Sequence, residues 1–177
     1  LSDPDLKRRT FPYVTIAFLV VNIIVFLYQL TLSDSGLFQF TYRFAAIPFE
    51  ISGFGNLGTV AVRVGRSIEL IDLASPIPTW ATMITSMFMH GGFMHILGNM
   101  VFLWVFGDNV EDKLGHVKYF CFYITAGIAA VLAQVWAGPD SQVPMVGASG
   151  AIGGVLGGYL INHPNARVLV LIPFGFF

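Results

Sequence analysis

The chain has 177 residues, of which 55% are apolar, 15% are aromatic and only 11% are charged. Its mean hydropathy of +0.74 lies far from that of soluble globular domains and predicts an integral membrane protein with several spans. The net charge is −1, and the sequence has no basic patch with interleaved aromatic residues, which excludes nucleic acid as a partner.

Four apolar segments are candidate membrane spans, because a span needs about 20 mostly apolar residues. They lie at about 11–32, 93–111, 118–137 and 147–162, and the second and fourth are short or rich in glycine. The pattern predicts an all-α fold in which residues 1–177 form a single polytopic membrane domain. Cys121 is the only cysteine and falls in the third segment, which predicts a buried, inert thiol.

The lysines and arginines of the short loops predict the orientation, because these residues accumulate on the cytoplasmic side. The loop at 138–145 has none of them. We therefore expect a cytoplasmic amino terminus in the cell (inner) membrane. The basic residues that carry this prediction are Lys7, Arg8 and Arg9 before the first segment, Lys113 and Lys118 between the second and third, and Arg167 after the fourth.

The long segment at about 33–92 is predicted to be an external loop. Residues 59–64 and 67–73 alternate polar and apolar around Gly65-Arg66, which favours a β-hairpin, although an irregular loop fits equally well. The run from Trp80 to Met89 follows two prolines and is predicted to be a short interfacial helix. Five aromatic residues suit the same interface: Phe38, Phe40, Tyr42, Phe44 and Phe49.

An isolated serine stands at the start of the fourth segment, in the run Gly147-Ala148-Ser149-Gly150. In the predicted topology the second and fourth segments both run inward, so the start of the second lies at the same depth. His95 and Asn99 lie there, four residues apart and therefore on one helix face. Because polar groups inside a bilayer are costly and usually functional, we expect all three side chains to face the protein interior.

These residue types suit nucleophilic catalysis. A serine that attacks a carbonyl creates an oxyanion, which needs preorganised donors. The backbone N–H of Ser149 and the side chains of His95 and Asn99 could supply them, and a helix amino terminus also favours negative charge. Close approach of another helix would be allowed by three glycines spaced by four: Gly150, Gly154 and Gly158.

Three runs of the sequence resemble the rhomboid family of intramembrane serine proteases. They are His90-Gly91-Gly92-Phe93-Met94-His95-Ile96-Leu97-Gly98-Asn99, Gly107-Asp108-Asn109-Val110-Glu111-Asp112-Lys113-Leu114-Gly115 and Gly147-Ala148-Ser149-Gly150. The resemblance covers residues from about 80 to 177 and the first segment. It implies a rhomboid-like helix bundle, with four of about six spans in this chain, that cleaves transmembrane segments of other membrane proteins in the lipid bilayer without metal or cofactor.

The resemblance also implies residue roles. Ser149 would be the nucleophile, and His95 and Asn99 would form the oxyanion hole. His90 would have a structural role near the site, and Glu111 would be a structural carboxylate at the cytoplasmic end of its helix. The residues implied to support the site are His90, Gly147, Gly150 and Glu111.

The general base is the part that the sequence does not supply, because the family places it on a sixth span. His163 follows Ser149 by fourteen residues, about 21 Å along a helix, and is excluded by distance. His116 is excluded by its cytoplasmic loop, whereas His95 stays an alternative base only if it leaves the oxyanion role. Because the chain starts without methionine and ends in the apolar run 168–177, we expect a piece of a longer protease, inactive by itself.

Two other function classes stay open. The first is a non-catalytic rhomboid-like subunit that binds transmembrane helices, with the remainder of the same chain or a larger membrane complex as its partner. The second is a metal-dependent membrane enzyme using His90, His95 and Asn99. It is disfavoured because asparagine is a poor zinc ligand.

Overall fold

The computed structural model describes residues 10–64 and 67–164. A 3-10 turn at Ser86–Phe88 follows the helix at Thr79–Thr85. Several predictions fall outside the described residues, namely those on Lys7, Arg8, Arg9, Arg167, the turn at Gly65-Arg66 and the apolar run 168–177. The elements are α1 (Tyr13–Gln29), α2 (Asp34–Phe44), α3 (Pro48–Ile51), β1 (Thr59–Val64), β2 (Ser67–Asp72), α4 (Thr79–Thr85), α5 (Phe93–Leu114), α6 (His116–Ala137) and α7 (Ser149–Asn162).

The helices α1, α5, α6 and α7 occupy the four predicted apolar segments and differ from them by a few residues at their ends. Within the described residues, α6 is the one helix that is long and apolar enough by itself to cross a membrane. The helical stretch Thr79–Phe88 and α5 meet this criterion together, with a bend of 85°, and α1 is apolar but shorter. The number of spans therefore stays a prediction.

The interior of the bundle lies where α7 packs against α5 and α6, with α1 against α5. Its buried centre includes Leu103 and Val110 of α5, Tyr123 of α6 and Val155 of α7. The outer faces of α1, α5 and α6 instead expose large apolar side chains. Contiguous apolar surface of this kind is rare in soluble monomers and fits helices that face lipid.

Small residues set the distance between α6 and α7. A Cβ atom added at Gly150 would lie 2.5 Å from the Cβ of Ala130, and one at Gly154 would lie 2.5 Å from the Cβ of Ala126. Both distances are too short, so only glycine permits this spacing. At Gly158 the nearest atom would lie at an ordinary 3.4 Å. The predicted close approach of a second helix is confirmed at the first two glycines.

The segment between α1 and α5 is more ordered than the sequence indicated. The predicted hairpin is confirmed, with β1 and β2 antiparallel and Val62 opposite Glu69. The fold therefore differs from the predicted all-α class by this two-stranded hairpin. The helix α2 was not predicted; it is capped by the Ser33 hydroxyl, which accepts a hydrogen bond from the Gly36 N–H at 3.2 Å. The short helix predicted from Trp80 onward is present as α4, and its position at the membrane interface stays a prediction.

The prediction for Cys121 is wrong. The residue lies on α6 and its thiol is free and exposed. Because both faces of this helix are apolar in sequence, hydropathy alone could not distinguish the face that packs on α7 from the face that points outward.

Candidate active site

A sharp turn places Ser149 at the first position of α7. Gly147, two residues earlier, has a φ of +122°, which side chains other than hydrogen rarely allow. Its N–H donates a 2.9 Å hydrogen bond to the carbonyl oxygen of Ser86. Ala148 is fully buried, whereas Ser149 itself is exposed. The hydroxyl is therefore held at a helix amino terminus while remaining open to an approaching molecule.

The predicted donors on α5 meet the turn at Gly147. A Cβ atom at Gly147 would lie 2.6 Å from Nε2 of His95 and 3.7 Å from Nδ2 of Asn99. Both side chains thus converge on the backbone that leads into Ser149. Asn99 is 8% exposed, and its Nδ2 has no hydrogen-bond partner among the described residues. The Nδ2 of Asn99 is therefore a donor available to a group outside the described residues.

A main-chain contact of 3.4 Å, at the long end of hydrogen-bond distances, favours the His95 tautomer that is protonated on Nε2. The N–H of Gly91 donates to Nδ1 of His95 at 3.4 Å. A ring nitrogen that accepts a hydrogen bond carries no proton, so the neutral imidazole has its proton on Nε2. Nε2 is the atom nearest Gly147. The second donor is therefore also directed at the turn before Ser149.

His90 lies in the loop before α5, and its ring packs against the ring of His95. The ring centroids are 5.1 Å apart at an interplanar angle of 70°, an edge-on contact. His90 is 2% exposed. Burial, and secondarily the nearby His95, lower the pKa of His90 to about 4. The His90 ring is therefore neutral near pH 7 where it packs against His95.

Glu111 occupies the other end of α5 and joins it to the start of α1. Its carboxylate is fully buried. It accepts hydrogen bonds from the N–H of Val14 at 2.9 Å, and from the N–H and hydroxyl of Thr15 at 2.8 and 2.7 Å. Nδ1 of His116 lies 2.6 Å from the same carboxylate. The carboxylate therefore satisfies amide groups at the amino terminus of α1, where the side chain of Pro12 provides no cap.

A cavity of about 410 Å³ opens beside Ser149. Its wall is formed by one face of α6, including Val131 and Gln134, and by the loop before α7, including Met145. The first turn of α7 closes it, with Ser149 and Gly150 in the lining. Neither His95 nor Asn99 contributes to this wall, but Gly147, which both side chains approach, does.

The other histidines lie elsewhere. His116 begins α6 and bonds to Glu111 at the far end of α5, and His163 follows the last residue of α7. This agrees with the exclusion of both as bases for Ser149. In the described part of the chain, no group of three or more His, Cys, Asp and Glu side chains is arranged to hold a metal ion.

Sequence reasoning missed one residue of this region. Gln29, the last residue of α1, uses its side-chain amide to hold the main chain of His90. The available signal was a polar side chain in the last turn of an apolar helix, which in a membrane protein usually has a partner.

Comparison with known proteins identifies the class. A sequence profile of the Rhomboid domain matches residues 78–177, more than half of the chain. The chain therefore belongs to the rhomboid family and is an integral membrane protein, which confirms the resemblance seen in its sequence.

The chain is similar to proteins from bacteria, fungi and plants. It is 32% identical over 143 residues to Rhomboid protease GluP of Bacillus subtilis, covering 77% of this chain and 27% of the relative. Identity is 35% over 95 residues to Rhomboid protein 1, mitochondrial, of Saccharomyces cerevisiae, covering 51% of this chain and 28% of that protein. The chain is 33% identical over 90 residues to Rhomboid-like protein 11, chloroplastic, of Arabidopsis thaliana, and the match covers 51% of this chain and 32% of that protein. The chain thus matches a third or less of each relative's length. No solved structure matches it.

Proposed function

We propose that this protein is a rhomboid-type intramembrane serine endopeptidase that cleaves transmembrane segments of other membrane proteins. In this proposal Ser149 is the nucleophile, and His95 and Asn99 form the oxyanion hole. The observation that carries it is the convergence of the His95 and Asn99 side chains on the turn that leads into an exposed serine. The residues proposed to support the site are His90, Gly147, Gly150 and Glu111.

The reaction begins when the Ser149 hydroxyl oxygen attacks the carbonyl carbon of the scissile peptide bond. The carbonyl oxygen becomes an oxyanion, which accepts hydrogen bonds from the Ser149 N–H, His95 Nε2–H and Asn99 Nδ2–H. By family resemblance, the base that takes the serine proton is a histidine beyond Phe177, which then protonates the leaving amine. Water hydrolyses the resulting ester and releases the serine.

Two glycines suit this task for different reasons. A side chain at Gly147 would collide with the His95 ring and would strain a backbone with positive φ, so glycine keeps the donors close to the reacting carbonyl. Gly150 allows α6 to pack directly below the serine. The serine is thus fixed by backbone packing on one side and left open on the other.

The cavity beside Ser149 supports hydrolysis inside a membrane. Lipid cannot hydrogen-bond polar groups, so irregular backbone and a hydrolytic water need a protein-lined cavity. At about 410 Å³, the cavity has room for water together with a substrate side chain.

We propose that the protein lies in the cell (inner) membrane with a cytoplasmic amino terminus; the distribution of lysine and arginine bears on the orientation alone. A membrane-impermeant thiol reagent applied to intact cells tests this orientation. In a Cys121→Ala background, which removes the exposed native thiol, a cysteine introduced in the loop at 138–145 should react and one introduced beside Lys113 should not; the reverse pattern contradicts the orientation.

Covalent labelling by a fluorophosphonate probe tests the catalytic proposal. We expect the full-length protein to be labelled and Ser149→Ala to abolish labelling, because the probe reacts with an activated serine. Ser141→Ala is the matched control, since this serine lies in the preceding loop and does not line the cavity. A folded, active protein that resists labelling would contradict the proposal.

The same variant distinguishes the alternatives. If Ser149→Ala leaves the biological activity unchanged, the protein is instead a non-catalytic member that binds transmembrane helices. Activity that is abolished by strong chelation and restored by added metal would favour the metal-dependent enzyme, for which the described residues offer no metal-binding cluster.

A further inference from the structure

Gln29 forms a two-point contact with the loop that precedes α5. Its side-chain Oε1 accepts a hydrogen bond from the N–H of His90 at 3.0 Å, and its Nε2 donates to the carbonyl oxygen of the same residue at 3.2 Å. The two residues are 61 positions apart, and Gln29 is only 5% exposed. Because the amide uses both its donor and its acceptor, it has one orientation and holds one peptide segment.

Packing of the buried His90 ring against His95 constrains its side chain, whereas the hydrogen bonds to its main chain come from Gln29. Gly91 and Gly92 follow His90, and no side chain caps the start of α5. Nearby, Phe26 of α1 packs edge-on against Phe93 with ring centroids 5.1 Å apart, which fixes the first turn of the helix but makes no hydrogen bond. The position of the His90 and Gly91 main chain therefore depends on the Gln29 amide.

That main chain determines the state of His95. The Gly91 N–H bonds to Nδ1 of His95, and the His90 ring packs edge-on against the His95 ring. The Gly91 contact is long at 3.4 Å, so a shift of a few tenths of an ångström would break it. Without it, the imidazole can place its proton on Nδ1, which leaves Nε2 as an acceptor that would repel an oxyanion.

We infer that Gln29 is a positioning residue for His95: by holding the His90 main chain it keeps the Nε2–H tautomer directed at the turn before Ser149. The inference rests on the proposed function, because the tautomer matters for catalysis only if His95 donates to an oxyanion. It extends the site to the last turn of α1, which carries no reacting group. The alternative is a structural tie that holds α1 to α5 and leaves the His95 ring unaffected.

Nitrogen-15 NMR of histidine-labelled, full-length protein tests the inference without requiring catalysis. We expect His95 to be in the Nε2–H form in the wild type and in a mixture of both tautomers in Gln29→Leu. Gln39→Leu is the matched control, because Gln39 also donates through its Nε2 to a distant main-chain carbonyl, that of Asp72, at 3.0 Å. An unchanged His95 tautomer in Gln29→Leu would overturn the inference.

Kinetics give the second readout. For folded enzyme, kcat should fall at least about tenfold in Gln29→Leu with KM nearly unchanged, because the donor is misplaced only for the transition state. Gln39→Leu should stay within about twofold of the wild type. If Gln29→Leu lowers only the yield of folded protein and kcat is unchanged, the residue is a structural tie and the inference is wrong.

Gln29→Glu provides a conservative variant in case the leucine variant does not fold. A protonated glutamic acid offers the same acceptor and donor as glutamine, whereas the ionised form cannot donate to the His90 carbonyl. The kcat ratio of variant to wild type should therefore rise when the pH is lowered from about 8 to about 5.5. A ratio that is independent of pH would contradict the positioning role. Failure of Ser149→Ala to abolish labelling would instead refute the proposed function, whatever the tautomer of His95.

Discussion

The two ends of α5 treat buried polar groups in opposite ways. At one end the carboxylate of Glu111 accepts hydrogen bonds from Val14 and Thr15 and contacts His116. At the other end the Nδ2 of Asn99 is buried and has no partner in the part of the chain that the structure describes. A buried polar group without a partner costs about 1–3 kcal/mol. The hydrogen bonds of Glu111 at the first end stabilise the fold. At the second end the Asn99 Nδ2 is left available to a bound molecule.

Because of this contrast, substitutions at the two ends of α5 should affect stability and activity separately. Substitution at the satisfied end should unfold the protein and leave the chemistry of folded molecules unchanged. Substitution of Asn99 at the unsatisfied end should stop the chemistry and leave the fold unchanged, because its Nδ2 has no hydrogen bond to lose among the described residues. Three experiments measure how far the separation holds, starting with the largest expected effect.

Asn99→Ala should lower the rate of fluorophosphonate labelling by about a hundredfold to a thousandfold, the usual cost of one oxyanion-hole donor. Its unfolding free energy should change little. Asn109→Ala is the matched control, since Asn109 lies on the same helix, is also 8% exposed and donates its Nδ2 to the Val105 carbonyl within its own helix. Equal loss of labelling in both variants would show that helix disruption, rather than the missing donor, is responsible.

Glu111→Gln should lower the unfolding free energy by about 3 kcal/mol, because one oxygen of a fully satisfied buried carboxylate becomes an amide group facing N–H donors. Denaturation in detergent or bicelles measures this free energy of unfolding. The rate of fluorophosphonate labelling per folded molecule should stay within about twofold of the wild type. Asp112→Asn, at a neighbouring carboxylate that is only partly buried, should cost about 1 kcal/mol or less. A selective loss of labelling in folded Glu111→Gln would show that the Glu111 end of α5 contributes to the chemistry as well as to stability.

Acidification should give the smallest effect, through His90. Its pKa is lowered to about 4 in the folded protein, so between about pH 6.5 and pH 4 the unfolded chain binds a proton that the folded chain does not. This contribution to the free energy of unfolding is therefore fully present above about pH 6.5 and falls as the pH drops, by at most about 3 kcal/mol at pH 4. His90→Leu should lose less stability over the same range. An identical pH dependence in variant and wild type would exclude His90 as the cause.

Regular spacing made much of the site predictable. The interval of four between His95 and Asn99, with the topology, placed both donors beside the glycine run before Ser149, and the structure has them there. Alternation gave only a weak signal for the hairpin, which the structure shows in place of the irregular loop that fitted the sequence equally well. The partner of Glu111 at Thr15 could not be read from spacing, because a contact between residues 96 positions apart leaves no periodic trace.

Other features were missed because the sequence signal was absent or ambiguous. The Gln29 side chain contacts the main chain of His90, and no sequence pattern links these two residues. The only signal for the contact was a polar residue in an apolar helix. The helix α2 lies in a loop whose many aromatic residues suggested an interface rather than a helix. In α6 both faces are apolar, so the exposure of Cys121 could not be derived from hydropathy.

The structure of the full-length protein with a phosphonate bound covalently at Ser149 tests the central claim most directly. We expect the phosphoryl oxygen to lie about 2.7–3.1 Å from Asn99 Nδ2, His95 Nε2 and the backbone nitrogen of Ser149. An adduct on Ser149 whose oxygen points away from His95 and Asn99, or an adduct on another residue, would refute the proposed oxyanion hole or the proposed nucleophile.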